Sequence, residues 1–133
     1  MAAPAEFGFA TGHVVQEYYV DDDADESVRS AIEEVTGTAL VDDSYGDMAD
    51  GALIWWRQED FESEDLTDLL VDAMSNLDNG GIIWVLSPKP GRPGHVRPAD
   101  IADAAGTAGL ATTSAASVCA DWSGTRLMAR GRR

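Results

Sequence analysis

The stretch Gly81-Ile-Ile-Trp-Val-Leu-Ser-Pro-Lys-Pro-Gly-Arg-Pro-Gly-His95 decides the fold. Ile82–Leu86 is a continuous apolar run with a β-branched start, the pattern of a strand buried on both faces of a parallel sheet. Pro88, Pro90 and Pro93 have no N–H to give to a ladder, so the strand must stop where they begin. Ala52-Leu-Ile-Trp-Trp56 repeats the buried-strand pattern upstream. Between the two runs, Leu66, Leu69, Leu70, Ala73, Met74 and Leu77 recur at helical spacing, and strand, helix and strand in that order make a βαβ unit. Asn79-Gly80-Gly81 offers residues that tolerate a left-handed helix cap.

The same alternation continues in both directions. Upstream, His13–Val20 is rich in β-branched and aromatic residues and reads as a first strand. Asp21, Asp22, Asp23, Asp25 and Glu26 then precede a helix with Val28, Ile32 and Val35 on one face, ending at Gly37, and acids are favoured at a helix start by the macrodipole. Thr38–Val41 reads as a short strand. Downstream, Pro98 opens a helix that buries Ile101, Ala104 and Ala105 and ends over Gly106–Gly109. Ala111–Val118 and Thr125–Ala129 read as strands of an antiparallel hairpin turning at Asp121-Trp122-Ser123-Gly124. The fold expected is a compact, Rossmann-like α/β domain over residues 1–133, with a mostly parallel sheet, helices packed on it and a C-terminal hairpin. Residues 1–8 and 130–133 are expected to be flexible tails.

A chain of 133 residues leaves no room for two cores, and 44% apolar with 25% charged residues is ordinary for a folded domain. With no long apolar run and no basic, apolar leader, neither a membrane span nor secretion is expected, and the lone Cys119 fits a reducing cytoplasm. The net charge of −15 is unevenly spread. Residues 1–78 carry 21 of the 24 acids with Arg29 and Arg57 as the only bases, a charge of −19. Residues 79–133 carry Asp100, Asp103 and Asp121 against seven bases, a charge of +4. Such acidity disfavours nucleic acid, whose binding depends on clustered cations, while the basic segment can still recruit a small anion. The opposed halves also suggest a homodimer held by charge complementarity.

No catalytic constellation stands out. Asp21, Asp23 and Asp25 have the alternate spacing of a calcium loop, but Glu26 and Ile32 occupy the places of its turn glycine and bidentate glutamate. His13 and His95 have no companions at zinc spacing, so no metal is expected. Ser87 lacks a nucleophile-elbow sequence, Ser123 sits in a turn, and Cys119 in an alternating strand is more at home as a small buried hydrophobe. Of the tryptophans, Trp55, Trp56 and Trp84 read as core and Trp122 as exposed.

One segment invites a functional reading. Ser87–Arg97 gathers Lys89, Arg92, His95 and Arg97 on a proline-stiffened loop at the carboxyl end of a central strand, the edge where open α/β sheets hold ligands. Arg57 leaves the end of the neighbouring strand. Arg57, Ser87, Lys89, Arg92 and His95 are therefore the expected ligand contacts, for an anionic metabolite or an acidic protein partner. Replacing Arg57 and Arg92 together is expected to weaken binding and leave the fold intact. With only His95 able to exchange protons near neutrality and no carboxylate nearby in sequence to orient it, a non-enzymatic binding module is favoured over an enzyme acting on a small anion.

Gly12-His-Val-Val-Gln-Glu17, Ala31-Ile-Glu-Glu-Val-Thr-Gly37, Leu53-Ile-Trp-Trp-Arg57, the stretch from Gly81 to Val96 and Asp121-Trp-Ser-Gly-Thr-Arg-Leu127 resemble, in order, the actinobacterial family called domain of unknown function 3052. That resemblance implies kinship over about Phe7–Ala129 and no particular reaction. From Ala52 onward the order of elements also resembles the back half of a Rossmann-fold methyltransferase. A cofactor of that kind needs a glycine turn after the first strand. Gln16, Glu17, Tyr18, Tyr19 and Asp21–Asp23 stand there instead, and their carboxylates would repel a phosphate. No cofactor is expected, and a methyltransferase with a degenerate cofactor site stands as an alternative.

Overall fold

The computed structural model describes residues 7–129. Five strands, β1 (Val15–Tyr18), β2 (Ala49–Trp55), β3 (Leu77–Pro88), β4 (Leu110–Ser117) and β5 (Trp122–Ala129), form one sheet in the order β1-β2-β3-β5-β4. β1, β2 and β3 run parallel, whereas β5 is antiparallel to both β3 and β4, so the sheet is mixed. Helices α1 (Glu26–Thr36), α2 (Leu66–Ser75) and α3 (Pro98–Ala108) and a short 3-10 turn at Gln58–Glu62 fill the connections. This is the Rossmann-like α/β architecture with a C-terminal hairpin.

Alternation along the strands builds two cores. Ala52 and Ile54 of β2, Trp56 just beyond it, and Ile83 and Val85 of β3 face one way, onto Leu66 and Leu70 of α2 and Ile101 and Ala105 of α3. Leu53, Trp55, Trp84 and Leu86 face the other way, onto Val28 and Ile32 of α1, Phe7, Phe9 and Trp122. Burying both faces is why β2 and β3 read as unbroken apolar runs. Phe7, inside the expected N-terminal tail, is buried edge-on to Trp84, whose indole N–H donates to the Phe7 carbonyl at 2.8 Å. The rest of the expected tails, apart from Gly8, lies outside the described residues.

Several boundaries differ from the sequence reading. The first strand is only Val15–Tyr18, and Thr38–Val41 contributes a single bridge, Val41 to Gln16. The second helix ends at Ser75 without a left-handed cap, because the Asn76 amide is held by Gln16 and by the Tyr45 carbonyl, and Leu77 already pairs with Ala49 of β2. Asn79-Gly80-Gly81 is therefore strand. In α1 the buried stripe is Val28, Ile32 and Thr36, while Val35 is exposed. Asp25 caps that helix by accepting from the Ser27 and Val28 amides, and Gly37 closes it at φ 74°. In α3, Gly106 is helical and only Gly109 caps. The hairpin turns over residues 118–121, so Cys119 is in the turn and half-buried, and Gly124 is inside β5. A β-carbon on Gly124 would come within 2.8–3.0 Å of Trp84, Val118 and Leu86, so that glycine serves packing.

Candidate functional site

Parallel β1, β2 and β3 deliver their carboxyl ends to one edge, and the antiparallel hairpin returns its turn to the same edge. Four segments meet there: Tyr19–Asp25, Arg57 with the 3-10 turn, Lys89–Arg97 and residues 118–121. Lys89 N–H donates to the Asp121 carbonyl at 2.9 Å and Gln58 N–H to the Gly94 carbonyl at 2.9 Å, so the basic loop is stitched to both neighbours. Gly91 at φ 85° and Gly94 at φ 83° let it fold on itself.

Arg57 is the centre of this edge. It is buried, and its Nε donates to Asp23 Oδ2 at 3.0 Å while Nη2 donates to Asp23 Oδ1, a bidentate clamp. Nη1 donates to the carbonyls of Tyr19 at 2.9 Å and Trp55 at 2.8 Å. The guanidinium carbon lies 5.3 Å from the ring centroid of Trp122, whose indole N–H reaches the Asp23 carbonyl at 3.2 Å. Trp122 is thus buried, because its two faces of chemistry, ring and N–H, are both used inside the edge. The arginine read as a ligand contact is already holding an anion of its own chain.

The other cations divide. Arg92 pairs with Asp121 at 2.9 Å, both side chains exposed, and the exposed Arg97 with the half-buried Asp100 at 3.1 Å. Ser87 is buried at the carboxyl end of β3 opposite Ser123. His95 Nδ1 lies 2.9 Å from the Pro88 carbonyl, which can only accept, so Nδ1 carries the proton and pins the loop. Lys89 makes no ion pair among the described residues. It lines a groove of about 770 Å3 between α1 and the hairpin turn, together with Ser27, Ser30, Ser117, Cys119 and apolar Val28 and Val118. Two carboxylates line it too, Glu34 and Asp25, the latter spent on the helix cap. The groove was not legible in sequence, because Ser27, Lys89 and Ser117 lie on three distant elements.

A second recess, of about 390 Å3, sits over β1 on the α2 side and is lined by Gln16, Tyr18, Tyr19, Tyr45 and the carboxylates Asp43, Glu64 and Asp72. Buried Gln16 organises its floor, accepting from Tyr18 and Asn76 and donating to the carbonyls of Asp42 and Tyr45. Among the described residues no three His, Cys, Asp or Glu side chains converge as metal ligands would.

At the turn after β1, Tyr19 takes φ 63°, a left-handed conformation uncommon for a residue with a β-carbon, and stacks on Trp56 at 5.5 Å. The hydrogen bonds from Arg57 hold the Asp23 carboxyl below its ordinary value of 3.8. A proton therefore binds the unfolded chain before the native one, so the contribution of Asp23 is full above the ordinary carboxylate range and lost as pH falls through its native value. Wild type should accordingly be more stable than Asp23→Asn at pH 7, with the gap in melting temperature closing below about pH 4. A gap that stays constant down to pH 2 would refute that assignment.

Comparison with solved structures identifies the class of fold as that of methyltransferases. Pyocyanin biosynthetic protein PhzM superposes with a TM-score of 0.64 at 10% identity, covering 90% of this chain and 51% of that one. Mitomycin 7-O-methyltransferase MmcR gives 0.63 at 12% identity, covering 90% and 50%. Magnesium protoporphyrin IX methyltransferase (ChlM) from Synechocystis PCC 6803, with bound SAM, gives 0.57 at 11%, covering 92% and 73%. The chain spans about half the length of the first two, and likeness at such identities is one of fold. By sequence, residues 4–131 match the model of DUF3052, "Protein of unknown function", and the chain belongs to that family. Uncharacterized proteins of Mycobacterium tuberculosis (strain H37Rv) and Mycobacterium bovis are each 44% identical over 123 residues, which is 92% of this chain and 75% of theirs.

Proposed function

We propose that this protein is a non-enzymatic binding module built on a methyltransferase fold, and that it holds a small anion in the groove beside the Ser87–Arg97 loop. The observation that carries the reading is Lys89: it makes no ion pair among the described residues and lines the groove with Ser27, Ser30 and Ser117, of which Ser27 and Ser117 already donate to Asp25 and to the Cys119 carbonyl, while Arg92 and Arg97 have partners. An ammonium without an ion-pair partner in such a groove suits a carboxylate or phosphate. Arg92 and His95 stand at the rim of the same loop, and Arg57 supports the edge from inside. Against catalysis stands the turn after β1, which carries Tyr19, Asp21, Asp22 and the Asp23–Arg57 clamp where a dinucleotide-binding turn carries glycines.

Thermal denaturation against phosphate, di- and tricarboxylates, nucleotides and S-adenosylmethionine tests this. An anion present at a hundredfold its Kd should stabilise the native state by about 2.7 kcal/mol. Lys89→Ala should weaken the same anion about tenfold to a hundredfold, the cost of a charge-assisted contact of about 1.5–3 kcal/mol. If only S-adenosylmethionine stabilises, with Lys89→Ala indifferent, the methyltransferase alternative replaces this one.

A further inference from the structure

The two edges of the sheet are treated differently. β1 is four residues long and is shielded by Val41, whose N–H donates to the Val15 carbonyl at 3.1 Å and whose carbonyl accepts from Glu17 N–H at 2.7 Å. β4 is eight residues long and pairs only with β5. Its residues Thr112, Thr113, Ser114 and Ala115 are all exposed, so neither a helix nor a loop among the described residues covers that stretch. An open strand edge presents a row of unpaired N–H and C=O groups, and proteins that stay monomeric blunt such edges with lysine, inward charge, proline or bulges. β4 carries one of these devices, a bulge at Thr113, and none of the others. In a chain that is 25% charged, the 17 residues from Ala104 to Ala120 contain no charge at all.

We propose that β4 pairs with β4 of a second copy, antiparallel across a two-fold axis, joining two five-stranded sheets into one. The neutrality argues for a second copy over a foreign strand. A two-fold contact sets the residues on its axis beside their own copies, so any charge at its centre repels itself, and two chains of charge −15 approach with least repulsion along an uncharged edge. A foreign partner of so acidic a protein would gain most from basic residues placed against its carboxylates, for which a neutral edge offers nothing. The antiparallel sense follows from the two-fold, and small side chains on both faces let the strands meet without rearrangement. This pairing differs in kind from front-to-back attraction between the −19 and +4 halves, since it makes no use of opposite charges.

Light scattering on the full chain, with the paired variants Ser114→Lys/Ala115→Lys and Ser114→Glu/Ala115→Glu, separates the possibilities. Wild type should scatter as about twice 14.1 kDa at micromolar concentration. Raising the salt should leave that mass unchanged or tighten it, because screening relieves repulsion between like-charged copies. Both variants should weaken association at least tenfold, since either sign faces itself across the axis. Amide hydrogen exchange should show β4 protected in wild type and unprotected in both variants, with β3 protected in all three, which also reports that the variants fold. A monomeric wild type, or a dimer that dissociates in high salt, or one that the Lys and Glu variants affect oppositely, would overturn the proposal.

Discussion

Arg57→Ala is expected to lower stability by about 3 kcal/mol, the order expected for buried carbonyls left without a donor, and the melting temperature by roughly 10 °C. Asp23 is 54% exposed and can be rehydrated when its partner goes. The cost falls instead on the Tyr19 and Trp55 carbonyls, which lose their donor, and on the Trp122 ring, which loses the guanidinium packed against it. Arg57→Lys should recover little, because an ammonium cannot serve two carboxylate oxygens and two carbonyls with one planar fork. Arg92→Ala should shift stability by less than about 0.5 kcal/mol, as its pair with Asp121 is more than half exposed on both sides. Replacing Arg57 and Arg92 together should therefore touch the fold through Arg57, against the expectation from sequence that it would stay intact. Urea or thermal unfolding monitored by circular dichroism checks all three. A melting temperature for Arg57→Ala within about 2 °C of wild type would show that the clamp is not holding the edge.

The strands that form the floor of this edge were legible because burial on two faces leaves a mark in local sequence: Leu53–Trp56 and Ile82–Leu86 have no polar residue. The α2–α3 layer was legible too, through apolar spacing. What escaped depended on contacts between residues far apart in the chain. Nothing near Arg57 in sequence says that Asp23, thirty-four positions upstream, would take it, since three other acids crowd the same loop. Gly124 looked like a turn residue because a glycine chosen for close packing and one chosen for its torsion angles have the same letter, and the Trp84 ring that decides the matter lies on another strand. Asn76 ended α2 early for a like reason, through Gln16, sixty positions away. The basic loop was placed at the right edge by the rule for carboxyl ends of parallel strands, but its ion pairs were not foreseeable without the fold.

Trp122→Ala is the second large effect, about 3–5 kcal/mol, the range for emptying a buried aromatic site. Trp122 is 3% exposed, stands edge-on to Trp55 at 4.9 Å, covers Arg57 and donates its indole N–H to the Asp23 carbonyl. A residue placed only to recognise an external ligand would make none of these internal contacts, so its removal would leave stability alone. Trp122→Phe keeps an aromatic ring over Trp55 while removing the N–H, and should cost about 1 kcal/mol, the net worth of one hydrogen bond. Because Trp122 and Arg57 touch, their substitutions should not add. The double variant should be less destabilised than the sum by about 1 kcal/mol, since the contact between ring and guanidinium is lost only once. Urea unfolding of the four species in this cycle measures the difference directly. Strict additivity would mean that the tryptophan and the arginine hold the edge independently and that the ring–guanidinium contact contributes nothing, whereas a non-additive pair marks Asp23, Arg57 and Trp122 as one cooperative lock on the carboxyl end of the sheet.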